Sequence, residues 1–463
     1  MTITEDKWLK LRKEILKEIK PTDKVDAQVR KIANELINLI NEASPKEVQV
    51  LLTGSFAKGT YVQGDVDFDI FLLYPDTYTI DELQFKTFEW AKMFLEEWEI
   101  AYAQHPYIKG KYKGHDVDIV PSYFLDENTN GNIKIKSAVD RTQLHTKYVL
   151  SKITEEQKDD VRILKKFLKR IGVYGAEIKT GGFSGYLCEL LILKYGSFYN
   201  LITNSAKEWK IPVCFDVENK KSERLLRTLF KKYPLVVVDP VDNKRNVGSP
   251  VNDESLSRFI AASHIFFVNP ATEMFFSSIE LMAEEEIKKE MKDRGTNFVL
   301  FEFTKPDKSD DILWGELRKT LSSIADSIKI ADFNIIHQSV EIYGDMCYIL
   351  FELEHGLMPK VKVQKGPYVR MGNHLENFIS KNINNLDLFV RDERLCSIRY
   401  REFYRIEDLV GDIKKNPVKH GISKGLLNLI SESTVYYDEE SIKYKTRFVY
   451  TMHLKRKFFL GVA

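Results

Sequence analysis

The sequence predicts a multidomain α+β protein: an α/β unit in front, a mainly helical stretch, a second α/β unit and a basic, aromatic end. Three observations predict it. Helical and strand-like periodicities alternate over the first ~125 residues, the pattern of one compact α/β layer arrangement. From about residue 155 the periodicity is helical. After about residue 275 strand-like runs return around a long helical segment. A chain of 463 residues has room for roughly three domains. The boundaries expected are 1–150, 151–275, 276–385 and 386–463.

Each element has a local reason. Residues 7–19 and 28–43 have helical spacing, the second with Val29, Ile32, Ala33, Leu36, Ile37 and Ile40. VQVLLTG (48–54) is a strand running into a Gly-Ser turn, and VDFDIFLLYP (66–75) a strand stopped by Pro75. Residues 81–97 make a helix. GHDVDIVPSY (114–123) is a third strand, again ended by a proline. In VRILKKFLKRIG, Val161, Leu164, Leu168 and Ile171 share one helical face, and GFSGYLCELLILKYGSF continues as a largely buried helix. PLVVVDPVDNKRNV (234–247) is a short apolar strand and a charged turn. NFVLFEFT (297–304) and CYILFELE (347–354) are strands, with a helix at 313–328 between them.

Composition sets limits. With 43% hydrophobic and 30% charged residues the chain is ordinary and globular. No apolar run reaches the ~18 residues of a membrane span. The charged N-terminus lacks a signal peptide's apolar core, so a cytoplasmic location is expected. Cys188, Cys214, Cys347 and Cys396 are too far apart for a CxxC-type zinc site and read as reduced, buried thiols. The net charge of +1 hides a basic end: from Gly356 onward there are 20 Lys and Arg against 12 Asp and Glu. That imbalance suggests a polyanionic partner. Nothing in the sequence demands a protein partner.

The chemistry concentrates in TGSFAKGTYVQGDVDFDIFLLYP (53–75). Strand residues two apart share a face, so Asp67 and Asp69 present two carboxylates side by side while Phe68 and Ile70 enter a core. A neighbouring strand can bring Asp118 of HDVDIVP beside them. Three carboxylates in that arrangement suit two Mg²⁺ ions about 3.5–4 Å apart. The preceding GSFAKGT supplies a tight turn at Gly54 and Gly59, a hydroxyl at Ser55 and a charge at Lys58. It can cradle a phosphate but is not a P-loop, because GK[ST] is missing. Together these features describe a nucleoside triphosphate held against two metals.

Gly-Ser, Asp-x-Asp twelve residues after the serine and a third Asp on a later strand resemble the polymerase-beta-type nucleotidyltransferases. AVDRTQLHTKYV, VRILKKFLKRIGVYGAEIKTGGFSGYLCELL and VVVDPVDNKRNV resemble the archaeal (class I) CCA-adding enzymes, tRNA nucleotidyltransferases, densely from Val48 to Val247. The resemblance implies a polymerase-beta-like nucleotidyltransferase head, a helical neck, an α/β body and a basic tail gripping the top half of tRNA. It implies Asp67, Asp69 and Asp118 as catalytic ligands of two Mg²⁺ ions. Ser55 and Lys58 align with the triphosphate turn; many relatives carry Arg at the latter position. Thr142 and His145 match residues lining the nucleotide site, Lys165 and Tyr174 residues reaching the phosphates, and Arg245 the arginine that reads the base edge. Asp140 and Arg141 support the site. The implied reaction adds CCA to tRNA from CTP and ATP.

Plainer readings stand beside these. Lys165 reads equally as a solvated lysine, Tyr174 as packing near Gly172–Gly175, and His145 as a surface histidine. Arg245 can pair with Asp239 or Asp242. Asp65 and Asp116 flank the carboxylates as supporting or solvated residues. GPYVRMG (366–372), NPVKHGISKG (416–425) and 443–457 are candidates for RNA contact, against a reading in which Phe448 and Tyr450 are core. A poly(A) polymerase or oligoadenylate-type synthetase, or a non-catalytic RNA-binding relative, are the competing functions.

Overall fold

The computed structural model describes residues 5–102, 106–125, 139–276, 280–443 and 445–454. They fall into two compact units, one up to residue 276 and one from residue 280.

The first unit opens with α1 (Glu5–Ile19) and α2 (Asp23–Ala43), the latter capped by Thr22. Then come β1 (Gln49–Thr53), α3 (Gly54–Lys58), β2 (Asp67–Tyr74), α4 (Ile80–Phe94), β3 (Glu96–Tyr102), β4 (Pro106–Tyr112) and β5 (His115–Tyr123). The sheet order is β1-β2-β5-β4-β3. Only β2 and β5 pair in parallel; the other neighbours are antiparallel. Val29, Ala33, Leu36 and Ile40 of α2, three or four residues apart, pack with Phe68, Ile70 and Leu72 of β2 and Val117 and Ile119 of β5. This burial fixes the register, because a one-residue slip would put the aspartates in the core.

Four sequence expectations change here. The Gly-Ser turn is a short helix, α3. Residues 81–97 end as helix at Phe94, and β3 and β4 follow, two strands the sequence reading missed. Pro121 does not end β5 but lies inside it, opposite Leu72. Finally α1, placed by sequence in the stretch 1–150, buries Trp8, Leu11, Ile15 and Ile19 in the helical core that follows; Trp8 stacks on Phe198 at 5.2 Å.

That helical core contains α5 (Arg141–Lys152), α6 (Glu155–Arg170), α7 (Gly185–Tyr195), α8 (Phe198–Lys207), α9 (Glu223–Leu229) and α10 (Asp253–Val268). It carries a small sheet of β6 (Val213–Asp216), β7 (Leu235–Asp239) and β8 (Asp242–Asn246). Hence the charged turn expected after the apolar strand is the second arm of a hairpin. Arg162 of α6 ties the core to the segment after α3, donating to the carbonyls of Gly59 (2.6 Å) and Tyr61 (2.9 Å) and to Asp159 (2.6 Å).

The second unit contains α11 (Glu284–Arg294), β9 (Asn297–Thr304), α12 (Asp310–Ile330), β10 (Ile335–Tyr343), β11 (Met346–Leu353), β12 (Val361–Tyr368), α13 (Gly372–Asn382), β13 (Asp387–Arg391), β14 (Arg394–Tyr400), α14 (Ile406–Lys415), α15 (Leu427–Glu432), β15 (Thr434–Tyr437) and α16 (Arg447–Leu454). One sheet runs β10-β11-β9-β15, another β12-β14-β13. Both faces of β9 are covered: Val299 and Phe301 meet α12 and α14 side chains, while Phe298 and Leu300 meet Ile287, Val449 and Tyr450.

The expected cut at 385/386 falls inside the three-stranded sheet, whose strands span 361–400, and β15 returns to pair with β9. Tyr450 is core, hydrogen-bonded to Ser441, and Phe448 stacks on Tyr343 at 5.2 Å. Arg447 donates to the Met282 carbonyl. Residues 444 and 455–457 of that candidate RNA segment lie outside the described residues. In 366–372, Tyr368 is covered by Arg394 at 3.9 Å and Arg370 at 5.1 Å. In 416–425, Lys419 and His420 both bond Asp412.

Candidate active site

The register sets the site. Thr53 of β1 stands opposite Asp69 of β2, Asp69 opposite Asp118 of β5, and Asp118 opposite Lys109 of β4. Directly opposed residues share a sheet face, so these four side chains make one row across four strands. Asp67 lies two residues before Asp69 on the same face, opposite Asp116.

The close approach of α3 to this row has a simple cause. Gly54 has φ +69°, and a Cβ there would overlap the Asp69 carboxylate. The Gly of the Gly-Ser pair is therefore required twice, by backbone conformation and by room for Asp69.

The carboxylates pay for their proximity. Burial and the neighbouring Asp67 push Asp69 up to about 6, against partial relief from Lys58 and Lys165. Burial and Asp69 push Asp118 up to about 7, with Lys109 opposing. Asp67 is raised by burial, Asp65 and Asp116. Among the described residues no three acidic, His or Cys side chains close on one point as a finished metal cage. The donor set nonetheless fits a hard divalent cation: oxygen ligands only, crowded and held above their ordinary pKa first by burial and then by mutual repulsion.

The helical core contributes the other wall. Lys58 at the end of α3 is 6% exposed and forms an ion pair with Glu189 of α7 at 2.6 Å. Glu189 also accepts from Thr60 Oγ1 at 2.8 Å. Lys165 of α6 is buried and donates to the Thr60 carbonyl at 3.1 Å; burial depresses its pKa. It is thus not a solvated lysine. Tyr174 is half-buried, with Lys169 over its ring at 5.2 Å, and burial raises its phenol. Lys169 also pairs with Asp65.

A second hub is Asp239, fully buried at the end of β7. Its Oδ2 accepts from Arg245 Nη1 (2.8 Å) and bonds His145 Nε2 (2.9 Å); its Oδ1 accepts from Tyr186 Oη and the Val241 amide (both 3.1 Å). Burial favours the acid, but these bonds outweigh it and hold Asp239 at about 2. His145 stacks on Tyr186 at 3.9 Å, and burial lowers its pKa against the pull of Asp239. Asp140 is buried and accepts from Ser122 Oγ at 2.8 Å; Arg141 pairs with Asp242 at 3.5 Å. Ser55 and Thr142 occupy the first turns of α3 and α5, both partly exposed.

Sequence reasoning missed Glu189, Thr60, Tyr186 and Lys109, and named Asp239 only as one possible partner of Arg245, the pairing the structure shows. Two left a signal. Glu189 is the acidic residue in the otherwise apolar run GYLCELLILKY, and Asp239 ends the apolar run of β7. A carboxylate in a buried element needs partners, and partners mark a built polar site.

A sheet with this carboxylate row, closed by a helical core rich in buried cations, defines a nucleotidyltransferase of the polymerase-beta type. Three family models match in succession: a nucleotidyltransferase domain over 29–148, the second domain of tRNA nucleotidyltransferase over 159–276, and the C-terminal domain of CCA-adding enzyme over 294–434. A CCA-adding enzyme of Methanocaldococcus jannaschii is 37% identical over 422 residues, covering 87% of this chain and 89% of that protein. One of Pyrococcus abyssi is 35% identical over 383 residues, covering 80% and 82%. A crystal structure of the Cid1 poly(U) polymerase with Mg and 3′-dATP covers 59% of this chain and 100% of that one, at 16% identity and TM-score 0.47. The chain belongs to the archaeal CCA-adding enzyme family, and is a tRNA nucleotidyltransferase. Nucleotidyltransferases of this kind use divalent metal ions. Among the described residues no helix is long and apolar enough to cross a membrane.

Proposed function

We propose that this chain adds CCA to the 3′ end of tRNA without a template, using CTP and ATP and releasing pyrophosphate. The observation that carries the reading is the ladder pairing of Asp69 with Asp118, with Asp67 on the same face. The three carboxylates would hold two Mg²⁺ ions, which supply charge stabilisation for attack of the tRNA 3′-hydroxyl on the α-phosphate.

The remaining groups position the substrates. Ser55, Lys58, Lys165 and Tyr174 serve the triphosphate; Thr142 and His145 line the nucleotide site. Arg245 faces the base edge, with Asp239 fixing one of its nitrogens. Asp140, buried under Ser122 and Tyr123, anchors the start of α5 and so Thr142. The basic tail from about residue 386 grips the top half of the tRNA, and the reaction takes place in the cytoplasm.

The test is primer extension on labelled tRNA lacking its 3′ CCA, with Mg²⁺ and CTP, ATP or both. Two additions with CTP and a third only with ATP present support the reading. Long tails from ATP alone would make the chain a poly(A) polymerase. Binding without addition would make it a non-catalytic relative.

A further inference from the structure

A buried carboxylate beside a site for polyphosphate is a physical puzzle. Glu189 is 1% exposed, and its charge opposes the ligand's. Burying a carboxylate is costly unless cations and hydrogen bonds compensate it. Here they do: Lys58 Nζ lies 2.6 Å from Oε2 and Thr60 Oγ1 2.8 Å from Oε1. Lys165 joins through Thr60, whose carbonyl accepts its ammonium at 3.1 Å. Tyr174 Oη and the end of Lys165 meet near Gly185, where a Cβ would stand 3.3 and 3.7 Å from them. Lys58 lies 5.9 Å from the Tyr186 ring centre. The groups assigned to the phosphates therefore gather around Glu189, which none of those assignments uses.

We propose that Glu189 is a positioning residue that competes with the triphosphate for Lys58, and so limits how tightly nucleotide and pyrophosphate are held. The inference rests on the nucleotidyl-transfer reading above. Two lysines facing phosphates without a counter-charge would grip the pyrophosphate product as firmly as the substrate. Such uniform binding lowers KM without raising kcat. Glu189 cancels one of the two charges and fixes the direction of the Lys58 ammonium. It keeps one N–H of Lys58 and leaves the others for a phosphate oxygen.

Glu189→Gln keeps the shape and removes the charge. Inorganic pyrophosphate binding, measured by titration calorimetry and as product inhibition, is expected to tighten about ten-fold, the scale of one charge-assisted hydrogen bond. KM for CTP is expected to fall in parallel, and kcat to fall as product leaves more slowly. Glu189→Asp, which retains the charge, should return pyrophosphate affinity toward the wild-type value. A purely structural role would weaken binding of both ligands. Unchanged or weaker pyrophosphate binding in a Glu189→Gln protein with a wild-type melting curve overturns the proposal. Should that variant not fold, Lys58→Arg carries the test. Its five donors can serve carboxylate and phosphate together, so tighter pyrophosphate binding supports the proposal and unchanged or weaker binding overturns it. Wild-type protein that adds nothing to tRNA defeats the nucleotidyl-transfer reading. Wild-type addition without tightening in the variants defeats the Glu189 assignment alone.

Discussion

Asp69 of β2 and Asp118 of β5 stand directly opposite one another in a parallel ladder. Neighbouring strands run about 5 Å apart, and no cation in the row sits between the two carboxylates. Folding therefore forces together two groups that repel. Asp69→Asn or Asp118→Asn should remove more than about 99.9% of nucleotide addition, as expected when a group that organises transition-state charge is lost. Filter binding of tRNA should change less than about two-fold. Loss of tRNA binding in either variant would contradict the division of roles.

The same repulsion makes stability depend on pH, with a definite sign. The unfolded carboxylates titrate near 4, the folded ones near about 6 and 7. Between those limits the folded state holds more protons, so these groups lose stability as pH rises from ~4 to ~7. The Asp69→Asn/Asp118→Asn double variant should melt several degrees above the wild type at pH 8, and the gap should close by pH 4. Millimolar Mg²⁺ at pH 8 should raise the wild-type melting temperature and leave the double variant's unchanged. A gap independent of pH would count against the strain.

Gly54→Ala tests the approach of α3 to the sheet. The new Cβ meets the Asp69 carboxylate at a backbone φ of +69°. The expected cost is on the order of 2–3 kcal/mol of stability, with activity reduced at least ~100-fold. Chemical denaturation and primer extension measure the two. Near-normal activity would mean that Asp69 has freedom the ladder denies it.

Asp239→Asn bears on base selection. The amide cannot accept from Arg245, His145, Tyr186 and the Val241 amide together, because one of its heavy atoms is a donor. Arg245 and His145 lose their common anchor. We expect kcat/KM for CTP to fall roughly 10–100-fold, and discrimination against UTP to fall with it. Equal losses for CTP and UTP would place Asp239 outside base reading.

Glu352 in the second unit is a buried carboxylate whose partners are structural. It accepts from Arg294 at 2.7 and 3.0 Å and from Thr296 at 2.8 Å, and bonds His453 at 2.9 Å. Burial would raise its pKa, but these bonds hold it at about 2. Its stabilisation is present above the unfolded value near 4.5 and is lost as pH falls toward 2. Glu352→Ala should cost on the order of 3 kcal/mol, because the buried His453 loses its acidic partner and the more exposed Arg294 its two charge-assisted hydrogen bonds. A melting curve unchanged at pH 7 would refute this.

The carboxylate row was legible because strand alternation marked it. Alternation in VDFDIF placed Phe68 and Ile70 inside and the aspartates outside, and the structure keeps that arrangement. The strand β3 was not legible: EEWEIAY carries three glutamates and lies exposed on the sheet edge, so no burial pattern marks it, and β4 beside it was missed with it. Pro121 misled because a proline was taken to end the strand, whereas β5 continues two residues beyond it. The basic end misled differently. Charge and aromatics suggested a separate surface, but Tyr450 and Val449 fill a core that strands before residue 360 had begun. Lys58 and His145 were singled out by motif, yet their buried partners Glu189 and Asp239 lie far along the chain, whereas Arg245 pairs with Asp239 only six residues away, a pairing the sequence reading offered. Pairings across 131 and 94 residues have no local signature.

The return of β15 to β9 has a consequence for synthesis. The open side of β9 waits for a strand more than a hundred residues downstream, and Val449 and Tyr450 arrive later still. A nascent chain on the ribosome thus leaves that edge of β9 unpaired until residues 434–437 emerge. Fragments that stop near residue 430 would be the species most prone to stick to one another.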